Sequence, residues 1–161
     1  MQRKTTLFLR LAIWLMGLMA TALFGLEAWI MLVGLIRGGS QLRLVRMAVG
    51  LGTCGAAVCF WGTLIQALKL LGYIDKGNAF SEVSVTALKK IKQWAMGVGM
   101  IFTVVGLPYL YYLADIGDAP GLVVIGLVLT CVPYIISVFA ALLQRLLREA
   151  VQMKVENELT I

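Results

Sequence analysis

Four long apolar stretches, separated by short polar segments, constrain this 161-residue chain more than any other feature. A transmembrane helix needs about 20 mostly apolar residues to cross a hydrocarbon layer roughly 30 Å thick. The four stretches reach that length with few charges, and their predicted bounds are 11–35, 47–71, 94–113 and 121–143. We therefore predict an all-α membrane protein in which residues 1–161 form one domain, a bundle of four transmembrane helices.

The composition favours a bilayer rather than water as the solvent of this chain. Hydrophobic residues make up 61% of it and charged residues only 14%, whereas soluble domains average about 25% charged residues. This argues against a soluble enzyme, a free nucleic-acid binder and a disordered tail. In a membrane protein, the net charge of +6 is explained by basic residues at the cytoplasmic surface and needs no nucleic-acid partner.

Lysine and arginine are distributed unequally between the two sides of the predicted bundle. Basic residues concentrate in the cytoplasmic segments of membrane proteins. Of the 14 basic residues, ten precede the first span, lie between the second and third spans, or follow the fourth, and Lys69 near the end of the second span makes eleven on that side. Both termini and the middle connection are therefore predicted to be cytoplasmic. The three remaining residues run against this rule and lie in the first loop: Arg37, Arg43 and Arg46.

Two amphipathic segments, 81–93 and 144–158, are predicted to be cytoplasmic helical extensions of the third and fourth spans. In the first segment, Ser81 suits the N-cap position, and Glu82 suits the first turn because its charge opposes the helix dipole. Phe80 and Val85 have the spacing of a hydrophobic staple across that cap. The local sequence therefore predicts a helix that begins at residue 82.

Each amphipathic segment has an apolar stripe at helical spacing. The stripe of the first segment consists of Val85, Leu88, Ile91 and Ala95. The stripe of the second consists of Leu143, Leu146, Leu147, Ala150, Val151 and Val155. Arg145 and Glu149 form an i,i+4 ion pair on the polar side of the second segment. Each apolar stripe must pack against another apolar surface. The candidates are the other amphipathic helix, the membrane surface and a protein partner.

The connection between the second and third spans carries an unusual motif. It reads Leu70-Leu-Gly-Tyr-Ile-Asp-Lys-Gly-Asn-Ala-Phe-Ser-Glu, with Leu88 and Ile91 after it, and the tail reads Val155-Glu-Asn-Glu-Leu-Thr-Ile. Together these segments resemble the bacterial membrane family catalogued as domain of unknown function 2975, over essentially the whole chain. Many relatives read Glu-Glu-x-Asp where this tail has Glu-Asn-Glu, so the tail stays acidic.

The resemblance implies a small, multi-pass, four-span protein of the bacterial inner (cytoplasmic) membrane, and it brings no established activity. Some relatives are encoded beside a small helix-turn-helix regulator. The resemblance therefore makes such a transcription regulator a candidate cytoplasmic partner.

Glu27 is a carboxylate inside the first predicted span. A charged group within a span costs about 2.5–3.5 kcal/mol on insertion scales and is a functional candidate by default. Glu27 lies roughly 12 Å from the centre of its span, in the outer third of the membrane. One interpretation is structural, with Glu27 hydrogen-bonded to a neighbouring helix or paired with Arg37 or Arg43. The other is a role in binding an ion, a proton or a ligand.

No catalytic or metal-binding motif is recognisable in the sequence. The chain has no histidine, and its three cysteines have no CxxC spacing, which argues against a zinc site and a disulfide framework. There is no paired-carboxylate site, no nucleophile with an adjacent base, and no phosphate-binding glycine loop. We predict a protein that is not an enzyme and that has no cofactor or metal.

The leading functional hypothesis is a regulatory or scaffolding protein that engages a cytoplasmic protein and does not bind nucleic acid directly. Its candidate partner-binding residues lie in the middle connection and the tail: Phe80, Ser81, Glu82, Glu156, Glu158, Leu159 and Ile161. The alternative is a small proton-coupled transporter or channel that acts as a homo-oligomer with Glu27 as its binding carboxylate. A third hypothesis is an immunity or stress protein that binds a peptide or lipid within the membrane, and no residue singles it out.

Overall fold

A computed structural model of the protein describes residues 2–37 and 43–159, with the side chains of residues 6–36 and 43–156. The elements are α1 (Gln2–Arg37), α2 (Arg43–Asp75), α3 (Glu82–Ile101), a π-helical segment (Phe102–Gly106), α4 (Leu107–Ile116) and α5 (Gly121–Leu159). These described residues contain no β-strand. The predicted all-α class is confirmed, whereas the tip of the predicted first loop, 38–42, lies outside the described residues.

Within the described residues, four helical runs are long and apolar enough to cross a membrane, which confirms the predicted number. α3, the π segment and α4 form one continuous run, Glu82–Ile116, of 35 residues, and the other three runs have 31 to 36 residues. Such runs are roughly 47–54 Å long at 1.5 Å per residue, and the hydrocarbon layer is only about 30 Å thick. The helices therefore extend beyond the bilayer, although the span bounds given above stay predictions.

α3 occupies the centre of the bundle, and α1 lies at its edge. α3 packs extensively on both α2 and α5, whereas α1 packs chiefly on α2. Gly17 of α1 allows this contact, since a Cβ there would lie 3.2 Å from Leu64 and 3.4 Å from Trp61 of α2. Most of the large apolar side chains of α1 are exposed. Lipid tails can cover them, because the bilayer core is as apolar as these side chains.

Glycines permit the closest contacts of the central helix. A Cβ at Gly62 of α2 would lie 2.8 Å from the Trp94 ring of α3. A Cβ at Gly99 of α3 would lie 2.9 Å from the Tyr134 ring of α5. Small residues at helix interfaces permit close packing, and van der Waals contact is one of the contributions that drive the association of membrane helices. The two aromatic rings therefore occupy the space that a side chain would need at each glycine.

The start of α1 and the end of α5 lie at the same end of the bundle, which we call the basic end. It comprises the N-terminal part of α1, the connection 76–81 and the C-terminal part of α5. Arg10 of α1 and Asp75 of α2 form an ion pair there, and the Ser137 hydroxyl of α5 donates to the Lys92 carbonyl of α3 at 3.1 Å. A hydrophobic core of α2, α3 and α5 lies nearby and contains Leu88, Ile91 and Ala140, with Ala67, Leu70 and Leu147 packed around it.

Candidate functional site

The connection from α2 to α3 is closed by backbone hydrogen bonds. The Gly77 N–H donates to the Ile74 carbonyl at 3.1 Å, and the Asn78 N–H donates to the Tyr73 carbonyl at 3.0 Å. This pair of bonds is the Schellman motif, which places a left-handed residue just after the helix. Gly77 is that residue, with φ of +74°. The glycine in the motif therefore has a conformational reason, because a Cβ is disfavoured in this region.

Two serine hydroxyls donate to one carbonyl at the start of α3. Ser81 Oγ lies 2.8 Å from the Asn78 carbonyl oxygen, and Ser84 Oγ lies 3.1 Å from the same atom. Ser84 is fully buried. Ser81 occupies the N-cap position in extended backbone, as predicted, but its side chain makes no capping bond. The hydroxyl donates backwards instead, to the carbonyl of Asn78.

Phe80 and Glu82 lie on either side of Ser81 and are exposed. Phe80 is 61% exposed while Val85 is buried. Most of the Phe80 ring therefore does not take part in the predicted hydrophobic staple with Val85. Val83 is 52% exposed on the same turn. We call Phe80, Glu82 and Val83 the turn surface. It combines two apolar side chains and one acidic side chain at the basic end.

The ion pair between Arg10 and Asp75 joins the start of α1 to the end of α2. Arg10 Nη2 and Asp75 Oδ2 are 2.8 Å apart, and the two side chains are 44% and 29% exposed. Asp75 belongs to the motif that carries the family resemblance, but sequence reasoning assigned it no role. The two residues are 65 positions apart, and a single sequence has no local pattern that reveals such a pair.

The apolar stripe at the end of α5 is covered only in part by the bundle itself, since Leu143, Leu146 and Val155 are at least half exposed. Val151 is 7% exposed, and Leu147 packs against the core around Leu88 and Ile91 of α3. Of the three covers considered above, the structure shows the other amphipathic helix for the part of the stripe around Leu147. The predicted pair of Arg145 and Glu149 is also confirmed, with Nε and Oε1 3.2 Å apart.

α5 continues as a helix beyond the last of its described side chains that is buried, Val151. Val151 is buried, the described side chains 152–156 are all exposed, and the helix ends at Leu159. We call residues 152–159 the α5 projection. Glu156 lies on it, and Glu158 and Leu159 belong to its backbone. The side chains of Glu158 and Leu159, and Ile161 as a whole, lie outside the described residues.

Glu27 lines a cavity in the other half of the bundle. The cavity has a volume of about 300 Å³ and lies between α1, α2, the π segment and α4, with Leu129 of α5 also in its wall. Small-molecule sites in proteins typically have volumes of about 300–1,000 Å³ and walls that are mostly apolar. The cavity is therefore at the lower end of the size range of ligand sites.

Three polar side chains line the cavity without a partner in the described part of the chain. They are Glu27, Thr53 and Tyr109, none of which has a hydrogen bond or ion pair there. The predicted pair of Glu27 with Arg43 is not formed, and the side chain of Arg37 lies outside the described residues. The cavity therefore presents one carboxylate and two hydroxyls among apolar walls.

The π segment supplies one wall of the cavity through Phe102, Val105 and Gly106. The Leu107 N–H donates to the Phe102 carbonyl, five residues earlier, which is the wider π turn. Such turns inside α-helices occur frequently at functional sites. Pro108 follows directly and has no N–H to continue the ladder of hydrogen bonds. A proline in a span indicates a local irregularity of the helix. The sequence did not predict that the helix widens into a π turn there.

The structure does not bring all the predicted site residues together. Glu27 is 17 positions from Arg10 on the same helix, which corresponds to roughly 26 Å along its axis. Phe80, Ser81 and Glu82 lie with the α5 projection at the basic end, far from Glu27. Among the described residues, no group of three or more His, Cys, Asp or Glu side chains is arranged to hold a metal ion. The chain thus has two separate candidate sites, the cavity and the basic end.

Fold and sequence together define an all-α membrane protein with four helices that are long enough to span the bilayer. Within that class, the chain belongs to the family described as Protein of unknown function (DUF2975), which matches residues 39–161. It is 42% identical over 166 residues, covering 100% of both chains, to a protein named Uncharacterized membrane protein YoaS from Bacillus subtilis (strain 168). No solved structure matches the chain. The family predicted from the motif residues is confirmed.

Proposed function

We propose that this protein is a non-enzymatic regulatory or scaffolding protein of the bacterial inner membrane, and that its basic end binds a cytoplasmic protein. The α5 projection is the observation that supports this best. The exposed side chains 152–156 add little to the packing of the bundle, and yet α5 continues past Val151 as a helix to Leu159. The projection is therefore a preformed surface that a partner can bind.

The rest of the basic end fits the same role. The turn surface holds Phe80, Glu82 and Val83 exposed, and Lys89 and Lys90 of α3 are also exposed. At the opposite end, the two connections between helices span only residues 38–42 and 117–120, which is too short for a binding domain. The acidic tail complements a basic partner, and complementary charge favours association and specificity. A helix-turn-helix regulator is such a partner.

Truncation after Lys154 tests this proposal. A helix-turn-helix regulator of the kind encoded beside some relatives, or another partner identified by crosslinking, is expected to co-sediment with membranes that hold the full chain. It should leave the membranes when residues 155–161 are removed. Asp115→Asn, at the opposite end, is the control and should leave co-sedimentation unchanged. A partner that stays with the membranes after the truncation would contradict the proposal.

A second candidate function, proton-coupled transport by a homo-oligomer, is favoured by the cavity around Glu27. Four helices seldom enclose a complete pathway, so a second copy would have to complete it. Purified protein in proteoliposomes should then move substrate when a pH gradient is applied, and Glu27→Gln should abolish that flux. Full flux by the Glu27→Gln variant would remove the carboxylate from the mechanism.

A further inference from the structure

We propose that the cavity around Glu27 binds a small lipophilic cation, an ammonium group carried on an aromatic or short aliphatic body. The proposal deepens the second candidate function by naming the chemical class of the ligand. The inference rests on that function only because both use the Glu27 carboxylate. A ligand can bind there even if the protein transports nothing.

The charge of the site favours a cation. Glu27 lines the cavity and has no cationic partner in the described part of the chain. Arg46, a basic residue near this end of the bundle, donates instead to the Gly34 carbonyl at 2.5 Å. Attraction between charges is much stronger in a medium of low dielectric constant than in water. A carboxylate inside the bilayer that lacks a cationic partner among the described residues therefore favours a ligand of opposite charge.

The walls of the cavity favour an organic cation over a metal ion. Phe24, Phe102 and Tyr109 contribute aromatic rings, and ring faces attract ammonium groups, quaternary ones included. Apolar side chains supply contacts for the body of the ligand. Calcium and magnesium need about six or more oxygen ligands, whereas the polar side chains of this cavity are one carboxylate and two hydroxyls. The donor set is too small for such ions and suits a single ammonium group.

The position of α1 gives a ligand access to the site. α1 packs chiefly on α2, so the cavity fills the space between the second half of α1 and α4. Glu27 is exposed at the same time as it lines the cavity. A lipophilic cation can therefore reach the carboxylate from the membrane without an opening of the central α2, α3 and α5 packing.

Calorimetric titration with benzyltrimethylammonium tests the inference. The full chain is placed in nanodiscs of zwitterionic lipid, and the heat of titrating empty nanodiscs is subtracted. We expect saturable binding by the wild-type protein, at least tenfold weaker binding by Glu27→Gln, and retained binding by Glu27→Asp, which keeps the charge. Glu149→Gln, at the basic end, is the matched control and should bind like the wild type.

A neutral ligand of the same shape separates charge recognition from partition into apolar space. Neopentylbenzene replaces the ammonium nitrogen by carbon, and we expect it to bind at least tenfold more weakly than the cation. The inference is overturned if the wild-type protein binds neither ligand or binds both equally. It is also overturned if the Glu27→Gln variant binds the cation as tightly as the wild type does. If a variant fails to fold, the comparison of the two ligands on the wild type still decides. Cation binding without flux supports the inference and contradicts the transport function.

Discussion

Alanine at Gly62 tests the close packing of α2 against α3. The new Cβ would lie 2.8 Å and 2.9 Å from two atoms of the Trp94 ring, whereas carbon atoms in contact are about 3.5–4.0 Å apart. The ring or the helix must therefore move by about 1 Å. Overpacking of this kind costs about 1–3 kcal/mol. Because Trp94 is 37% exposed and its ring has room to move, we expect the lower half of that range.

Gly50 is the matched control, since it lies on the same helix and a Cβ there meets nothing within 4 Å. Replacing glycine by alanine in a helix also contributes about 0.5–1 kcal/mol of stability, and this gain is shared by both variants. The free energy of unfolding is measured for each variant by titration of mixed micelles with a denaturing detergent, followed by circular dichroism. Gly62→Ala should be about 1–2 kcal/mol less stable than Gly50→Ala, and equal stabilities would refute the reasoning.

Further substitutions test the connection between α2 and α3 and the ion pair beside it. Gly77→Ala places a Cβ at φ of +74° and should lower the unfolding free energy by about 1 kcal/mol; an unchanged value would contradict the assigned turn. Ser81→Ala and Ser84→Ala should each lower the unfolding free energy only slightly, because the remaining hydroxyl still donates to the shared carbonyl. The double variant should therefore lose more stability than the sum of the two single losses. Strict additivity would rule out this redundancy. A double-mutant cycle on Arg10 and Asp75 should give a coupling of about 0.5–1 kcal/mol, larger than that of the more exposed pair on α5, and a null coupling would show that the ion pair is not stabilising.

The parts of the fold that sequence could predict depend on short-range periodicity. The number of spans follows from the length of the apolar stretches, and the stripe of Val85, Leu88, Ile91 and Ala95 is buried as its spacing predicts. The start of α3 at Glu82 also follows from local sequence. The bond made by the Ser81 hydroxyl does not, because it depends on where the end of α2 places the Asn78 carbonyl.

The parts that could not be predicted depend on how distant segments meet. The pair of Arg10 and Asp75 requires α1 and α2 to lie side by side in one register. Glu27 is visible in the sequence as an intramembrane carboxylate, but its cavity exists only because α1 packs on α2 and leaves space before α4. The π turn before Pro108 adds a wall to that cavity, and neither feature has a sequence pattern of its own.

The orientation of the basic end in the membrane is the claim on which the proposed partner binding depends. Met153 is 63% exposed on the α5 projection, and Asp115 is exposed at the opposite end of the bundle. In a chain whose native cysteines are replaced by alanine, Met153→Cys and Asp115→Cys are labelled in intact cells with a maleimide that does not cross the membrane. The account predicts labelling at position 115 before lysis and at position 153 only after lysis. Labelling of position 153 in intact cells would contradict it.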